Sequence, residues 1–161
     1  MRKIFLILIL CCLFFVLEFL LFNLFGKWFK PDLLLLLVIF FNLYLGIRYS
    51  LLAAFFSGIL KDSFSVDVFG IHILTFMICA VSTTLIKRNL FHTGPSTLRF
   101  LLAFFISLLN VFIAYFLHSM FVNMEMGEMI RSVLLPEVVL TTWSANFVLR
   151  HLKQCVLKFS V

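Results

Sequence analysis

Four ionisable side chains interrupt the apolar runs of this 161-residue chain at places where they could do chemistry. Glu18, Asp62, His118 and Glu137 each lie within, or at the end of, a long run of Leu, Phe, Ile and Val. A charged group in such a setting is costly unless it is paired, and it often marks a ligand site, a proton pathway or a helix contact. The four residues could therefore line a pocket or a protein-binding groove, or they could form a hydrogen-bonded network that fixes helix register.

The sequence offers no recognisable catalytic motif around these residues. It lacks the Ser/Lys and paired-Asp motifs of membrane proteases, the H-E-x-x-H metal motif and the glycine-rich phosphate loop. The four cysteines have no C-x-x-C spacing, so they are expected to be small buried apolar residues. We therefore predict no enzyme, no cofactor, no metal site and no nucleic-acid partner.

The composition defines the elements that must position these residues. The chain is 64% hydrophobic and only 12% charged, whereas soluble domains are about one quarter charged. Apolar runs long enough for membrane-spanning helices occupy most of it. We predict an all-α integral membrane protein with a single domain of six transmembrane helices, at about 4–25, 31–47, 49–63, 69–86, 98–122 and 133–151.

Charge in the loops predicts the orientation of these helices. Six spans place both termini on one side, and the first apolar run is too long for a cleaved signal peptide. With the termini in the cytoplasm, nine basic residues fall inside and four outside, as the positive-inside rule requires. The inner set is Arg2, Lys3, Arg48, Lys87, Arg88, Arg99, Arg150, Lys153 and Lys158, and the outer set is Lys27, Lys30, Lys61 and Arg131. A rival topology makes the second and third segments a re-entrant hairpin.

Small residues recur every fourth position around the third segment, where Arg48 and Tyr49 are predicted to mark a tight turn. Such spacing lets membrane helices pack closely. Gly58 is predicted to admit a neighbouring helix, and Asp62 to accept hydrogen bonds from the following turn or a helix start. Lys61 is expected to extend its amine to the outer membrane surface. The small-residue stripe consists of Gly46, Ser50, Ala54, Gly58 and Asp62.

Several of these residues together resemble the signature of the rod shape-determining protein MreD family. The resemblance covers roughly residues 31–88 and includes Pro31-Asp32 before "LLLLLV", Gly46, "GILKD" at 58–62, and Gly70. The residues that match the family pattern are Pro31, Asp32, Gly46, Gly58, Asp62 and Gly70. Lys61 departs from the pattern, because it places a charge inside the Gly-x-Leu-x-Asp element.

The resemblance implies a fold similar to the substrate-binding subunits of energy-coupling-factor transporters. It also implies a non-enzymatic scaffold of the cell-wall elongation machinery in the bacterial inner membrane. The implied partners are an MreC-like single-span protein, the RodA polymerase, a class B penicillin-binding protein and MreB filaments. Two alternatives stay open from the residues. One is a vitamin-binding transporter subunit, suggested by the four ionisable residues that are expected at a similar depth in the membrane. The other is a membrane hydrolase or transferase.

Overall fold

The chain folds into a bundle of helices. The computed structural model describes residues 2–26, 31–64, 69–90, 96–121 and 135–159, and all regular elements in these ranges are α-helices. They agree with the six predicted segments to within a few residues, except that the last helix continues past residue 151. The helices are α1 (Arg2–Phe25), α2 (Leu33–Leu45), α3 (Ile47–Phe64), α4 (Ile71–Leu90), α5 (Ser96–Phe121) and α6 (Leu135–Phe159).

Helix α2 is the centre of the bundle. Its residues from Leu33 to Asn42 are all buried, and it packs against each of the other five helices. A helix that is apolar on every side is stable when protein encloses it or when it faces lipid, and here the other five helices of the described ranges enclose α2. The run "LLLLLVIFF" therefore forms the core of the protein.

A sharp turn at Gly46 joins α2 to α3 and makes them an antiparallel hairpin. Gly46 has φ 93° and ψ 174°, a conformation that is accessible almost only to glycine. Its N–H donates to the carbonyl oxygen of Phe41 at 3.0 Å, which closes the end of α2. The prediction that Arg48 and Tyr49 form the turn is wrong by two residues, since both lie in the first turn of α3.

The remaining helices enclose this hairpin. Helix α3 packs against α4 and α1, and α4, α5 and α6 follow one another as neighbours. Their outer faces carry large exposed apolar side chains, among them Phe5 (67% exposed), Phe112 (66%) and Trp143 (75%). Such a surface is unfavourable in water and suits the hydrocarbon of a bilayer.

Three helices are long and apolar enough to cross a membrane, judged by length and composition within the described ranges. These segments are Ile4–Leu24, Ile71–Arg88 and Arg99–Met120. Helix α2 is apolar but shorter, and α3 carries Arg48, Lys61 and Asp62. Membrane crossing by α2, α3 and α6 therefore stays a prediction.

Candidate functional site

The start of α2 is held by the side chain and backbone of Asp32. Its carboxylate Oδ1 accepts from the backbone N–H of Leu35 at 3.2 Å, so Asp32 is the N-cap of α2. Its own N–H donates to Oγ1 of Thr141 in α6 at 2.9 Å. Its other carboxylate oxygen accepts from Nδ2 of Asn110 in α5 at 3.2 Å. Asp32 therefore connects three helices from a position that is 2% exposed.

Lys61 does not extend to the membrane surface, and that expectation is wrong. Its amine lies 2.7 Å from Oδ2 of Asp32 and 3.7 Å from Oε1 of Glu18, and the residue is 8% exposed. It also lies 5.2 Å from the centroid of the Phe76 ring in α4, where the ring face attracts a cation. Two carboxylates and an aromatic face compensate for the loss of water, so the buried position is tolerated. We call Glu18, Asp32 and Lys61 the charge cluster.

Asp62, next to Lys61, serves the start of α4 instead. Its carboxylate accepts from the backbone N–H groups of Gly70 (2.9 Å), His72 (3.1 Å) and Ile73 (3.3 Å). The Nδ1 atom of His72 lies 2.8 Å from Oδ1 of Asp62. The negative charge satisfies the unpaired donors of the first turn and faces the positive end of the helix dipole. The predicted hydrogen bonding of Asp62 to a helix start is thus observed.

The ionisable residues singled out from sequence lie at one end of the bundle. Glu18 belongs to the charge cluster, and Glu137 in α6 is close enough to interact electrostatically with Lys61. His118 in α5 is buried. Asn110, Thr141 and Phe76 extend the contacts of the charge cluster to α5, α6 and α4. One buried site therefore joins all six helices of the described ranges.

A second polar network lies at the opposite end of the hairpin. Nδ2 of Asn42 donates to the carbonyl oxygen of Ala80 (2.7 Å) and lies within hydrogen-bond distance of Oγ1 of Thr84 (2.8 Å) and Oγ of Ser50 (3.3 Å). The amine of Lys87 donates to the carbonyl oxygens of Asn42 (3.1 Å) and Leu43 (2.8 Å). A cation on the last carbonyls of α2 complements the negative end of its dipole.

The small-residue stripe faces the interior of this chain. A Cβ atom on Gly58 would lie 2.5 Å from Cα of Ile73, so the backbones of α3 and α4 are in direct contact. Ser50 and Ala54 are fully buried, and Gly70 has φ 105° just before α4. A second buried row lies beside it, formed by Ala53, Ser57 and Lys61. These residues therefore pack helices of the same molecule.

Sequence reasoning missed Lys61, His72 and Asn42 as members of these networks. The number of residues between Gly46 and each partner would have indicated two of the contacts. Asn42 and Ser50 are each four residues from Gly46, while Asp32 and Lys61 are 14 and 15 residues from it. In an antiparallel hairpin such pairs face each other. Lys27, Lys30 and Arg131, which the predicted topology places outside, fall outside the described residues.

Fold and site together define an all-helical membrane protein whose polar side chains join its own helices. The family model described as "rod shape-determining protein MreD" matches residues 1–155. The chain therefore belongs to the MreD family of bacterial membrane proteins, which function in determining rod shape. The match extends the resemblance of residues 31–88 to nearly the whole sequence. No curated protein and no solved structure matches the chain, so the expected likeness to energy-coupling-factor subunits stays a prediction.

Proposed function

We propose that this protein is a non-enzymatic membrane scaffold of the cell-wall elongation machinery and that it binds an MreC-like single-span partner. The proposal also places it in the inner membrane with both termini in the cytoplasm. RodA, a class B penicillin-binding protein and MreB filaments are the further components that it would help to assemble. The family membership supplies the link to rod shape.

One observation carries the scaffold role. The charge cluster and its neighbours connect all six helices at one end, and the Asn42 network connects α2, α3 and α4 at the other. Joined by these two networks, the described helices form a body that exposes many large apolar side chains. Such a body is suited to holding other membrane helices in fixed positions. Of the ionisable residues that suggested a vitamin-binding subunit, Glu18 is paired with Lys61 and Asp62 accepts from the start of α4, so both contact groups of this same chain.

Purification from membranes tests the proposal. Tagged protein, co-expressed with the MreC-like protein encoded beside it, should retain that partner through detergent extraction, and depletion should turn rod-shaped cells round. An unrelated single-span protein expressed at the same level is the control for nonspecific retention. If the partner is expressed but is not retained, the scaffold proposal is wrong.

A further inference from the structure

Two basic side chains and a tyrosine meet at the end of α2, at the opposite end of the bundle from the charge cluster. The Nη1 atom of Arg99, in α5, donates to the hydroxyl of Tyr44, in α2, at 2.9 Å. The amine of Lys87, in α4, donates to the carbonyl oxygens of Asn42 and Leu43, which precede Tyr44. We call Tyr44, Lys87 and Arg99 the basic site, and it joins the ends of three helices.

The sequence around the basic site contains no acidic residue. There is no Asp or Glu between Asp32 and Asp62, or between Asp67 and Glu125, and these two stretches include all three residues of the site. The carboxylates that the structure describes lie at the other end of the bundle. We therefore expect the anion that balances the basic site to come from outside the chain.

The position of Arg99 in its helix adds to the positive potential. Arg99 lies in the first turn of α5, which begins at Ser96 and has no acidic residue in that turn. The first turn of a helix carries partial positive charge and N–H groups without helical acceptors. A cation there is unfavourable by itself, whereas an anion bound beside it would be stabilised by the arginine and by the helix dipole together.

The basic site has more hydrogen-bond donors than its contacts with described residues use. A guanidinium has five N–H groups and an ammonium has three, and these contacts use one on Arg99 and two on Lys87. The Tyr44 oxygen accepts from Arg99 and still has its own O–H to donate. Phosphate oxygens bind such a set of donors, and a planar guanidinium can hold two of them at once.

The basic site lies at the level where a membrane meets water. By length and composition, the candidate spans in α4 and α5 are Ile71–Arg88 and Arg99–Met120, so Lys87 and Arg99 lie at their boundaries. Phe100, directly after Arg99, is 46% exposed and suits hydrocarbon. A ligand here would meet donors at the membrane surface and apolar side chains below it, which matches the phosphate and the acyl chains of a phospholipid.

We propose that the basic site binds the phosphate of an anionic phospholipid headgroup, such as that of phosphatidylglycerol. Charge favours an anionic lipid over a zwitterionic one, because Lys87 and Arg99 would repel the amine of a zwitterionic headgroup. Basic pockets between membrane helices bind anionic headgroups on the same principle. A soluble phosphate would gain nothing from Phe100. The proposal depends on the chain lying in a membrane and not on the scaffold function.

Competition between two lipids with the same acyl chains tests the proposal. The full-length protein is reconstituted in equimolar dioleoyl-phosphatidylglycerol and dioleoyl-phosphatidylcholine, and native mass spectrometry measures the ratio of the two lipids that it retains. We expect phosphatidylglycerol in excess. Arg99→Gln should lower the ratio about fivefold, the contribution of one cation near an anionic membrane surface. Tyr44→Phe, which removes the hydroxyl that holds Arg99, should lower it by a smaller factor.

Arg48→Gln is the matched control. Arg48 is an exposed arginine in the first turn of α3, at the same end of the bundle, and α3 packs chiefly on α1, α2 and α4. The variant removes the same charge from the same surface but not from the basic site. It should leave the lipid ratio within about twofold of the original, since solvent and salt screen a charge at that distance. Melting temperatures in phosphatidylcholine alone show whether each variant folds.

A measurement on the unaltered protein does not depend on the folding of any variant. A phosphatidylglycerol that carries a photoreactive diazirine beside its headgroup is bound and crosslinked, and the modified peptides are identified. We expect the adducts to concentrate at the end of α2 and the start of α5. Adducts that are equally frequent at the start of α3 would overturn the assignment to the basic site.

Other results would also contradict the proposal. Equal retention of the two lipids would show that the protein does not select an anionic headgroup. Equal losses for Arg48→Gln and Arg99→Gln would show only a general attraction between a basic surface and anionic lipid. Displacement of the bound phosphatidylglycerol by millimolar glycerol phosphate would show a site for a soluble anion. Each of these results would leave the scaffold proposal unaffected.

Discussion

At the scale of single residues, Lys61 has the most consequential environment. It lies between Asp32 and Glu18 and is nearly inaccessible. Buried ion pairs seldom add much net stability, because desolvation offsets their attraction, but removing one partner leaves an uncompensated charge. The charge cluster is therefore better understood as a device that favours one arrangement of helices over others.

Replacing Lys61 should destabilise the protein. Lys61→Met keeps most of the side-chain volume and leaves Asp32 and Glu18 facing each other without a cation. We expect a loss of about 3–5 kcal/mol, as for other buried pairs that lose one member, measured by unfolding of the purified protein in detergent. The double variant Lys61→Met with Asp32→Asn should recover part of that loss.

The control for this prediction is Arg88→Met. Arg88 is basic and exposed near the end of α4, so its removal should change stability by less than ~0.5 kcal/mol. Equal unfolding curves for Lys61→Met and Arg88→Met would show that the charge cluster contributes nothing to the fold.

The carboxylate of Asp62 should determine the stability of the start of α4. Asp62→Ala leaves the N–H groups of Gly70, His72 and Ile73 without their acceptor, and a lost helix cap costs about 1–2 kcal/mol. Asp62→Asn retains one acceptor oxygen and should have a smaller effect. Hydrogen exchange at the amides of Gly70 and Ile73 should accelerate most in Asp62→Ala and less in Asp62→Asn. Exchange in the middle of α5 should stay unchanged in both variants. Unaltered exchange at α4 in Asp62→Ala contradicts this role.

At the scale of elements, the α2–α3 hairpin organises the molecule. Its turn requires glycine because Gly46 adopts a positive φ, although a Cβ atom at this position would meet no other atom within 4 Å. The backbone conformation, and not a lack of space, therefore disfavours other residues there. The antiparallel register that follows brings Asn42 to Ser50 at one end and Asp32 to Lys61 at the other. A single backbone feature thus sets both polar networks.

The contact between α3 and α4 depends on the missing side chain of Gly58. Alanine normally favours a helix over glycine by about 1 kcal/mol, so Gly58→Ala would stabilise α3 if the site were open. Because its Cβ would lie 2.5 Å from Cα of Ile73, we expect a net loss of about 1–2 kcal/mol from overpacking. Thermal unfolding in detergent measures it. Ser63→Ala, exposed on the same helix, is the control, and a gain in stability for Gly58→Ala would contradict the close contact.

The sequence alone was sufficient to predict the helices and the close packing at Gly58, because the length of an apolar run and the spacing of small residues are local patterns. It was insufficient for Lys61, since a lysine at the end of a span reaches water in most proteins and only the fold reveals two carboxylates near it. His72 was missed for a similar reason: its contact with Asp62 depends on how α4 returns to α3.

At the scale of the whole molecule, the central hairpin is shorter than the helices around it. Helix α2 has 13 residues, or about 20 Å, whereas α1 and α5 have 24 and 26, or about 36 and 39 Å. The hydrocarbon core of a bilayer is about 30 Å thick. The charge cluster at the end of the hairpin is therefore recessed below the ends of the longer helices, which explains why Lys61 is buried although it lies near the end of α3.

The contacts around the Gly46 turn favour a spanning hairpin over the re-entrant alternative, which stays to be tested. Lys87, in the last turn of α4, reaches the final carbonyls of α2, and Arg99 near the start of α5 donates to the hydroxyl of Tyr44 at 2.9 Å. The Gly46 turn is thus level with the ends of its neighbours. A hairpin that entered and left through one surface would place that turn in mid-membrane, away from the ends of α4 and α5.

Thiol labelling in cells tests this arrangement. In a chain whose native cysteines are alanine, we expect an impermeant reagent to label Ser63→Cys in intact cells, and Arg48→Cys and Arg88→Cys only after permeabilisation. The reason is that α3 would cross the membrane between Arg48 and Ser63, and α4 would return to the inner side at Arg88. Arg88→Cys is the control, because both topologies place it inside. An Arg48→Cys that stays unlabelled on both sides, while Arg88→Cys reacts, would establish a re-entrant hairpin, since only that topology leaves the Gly46 turn within the hydrocarbon.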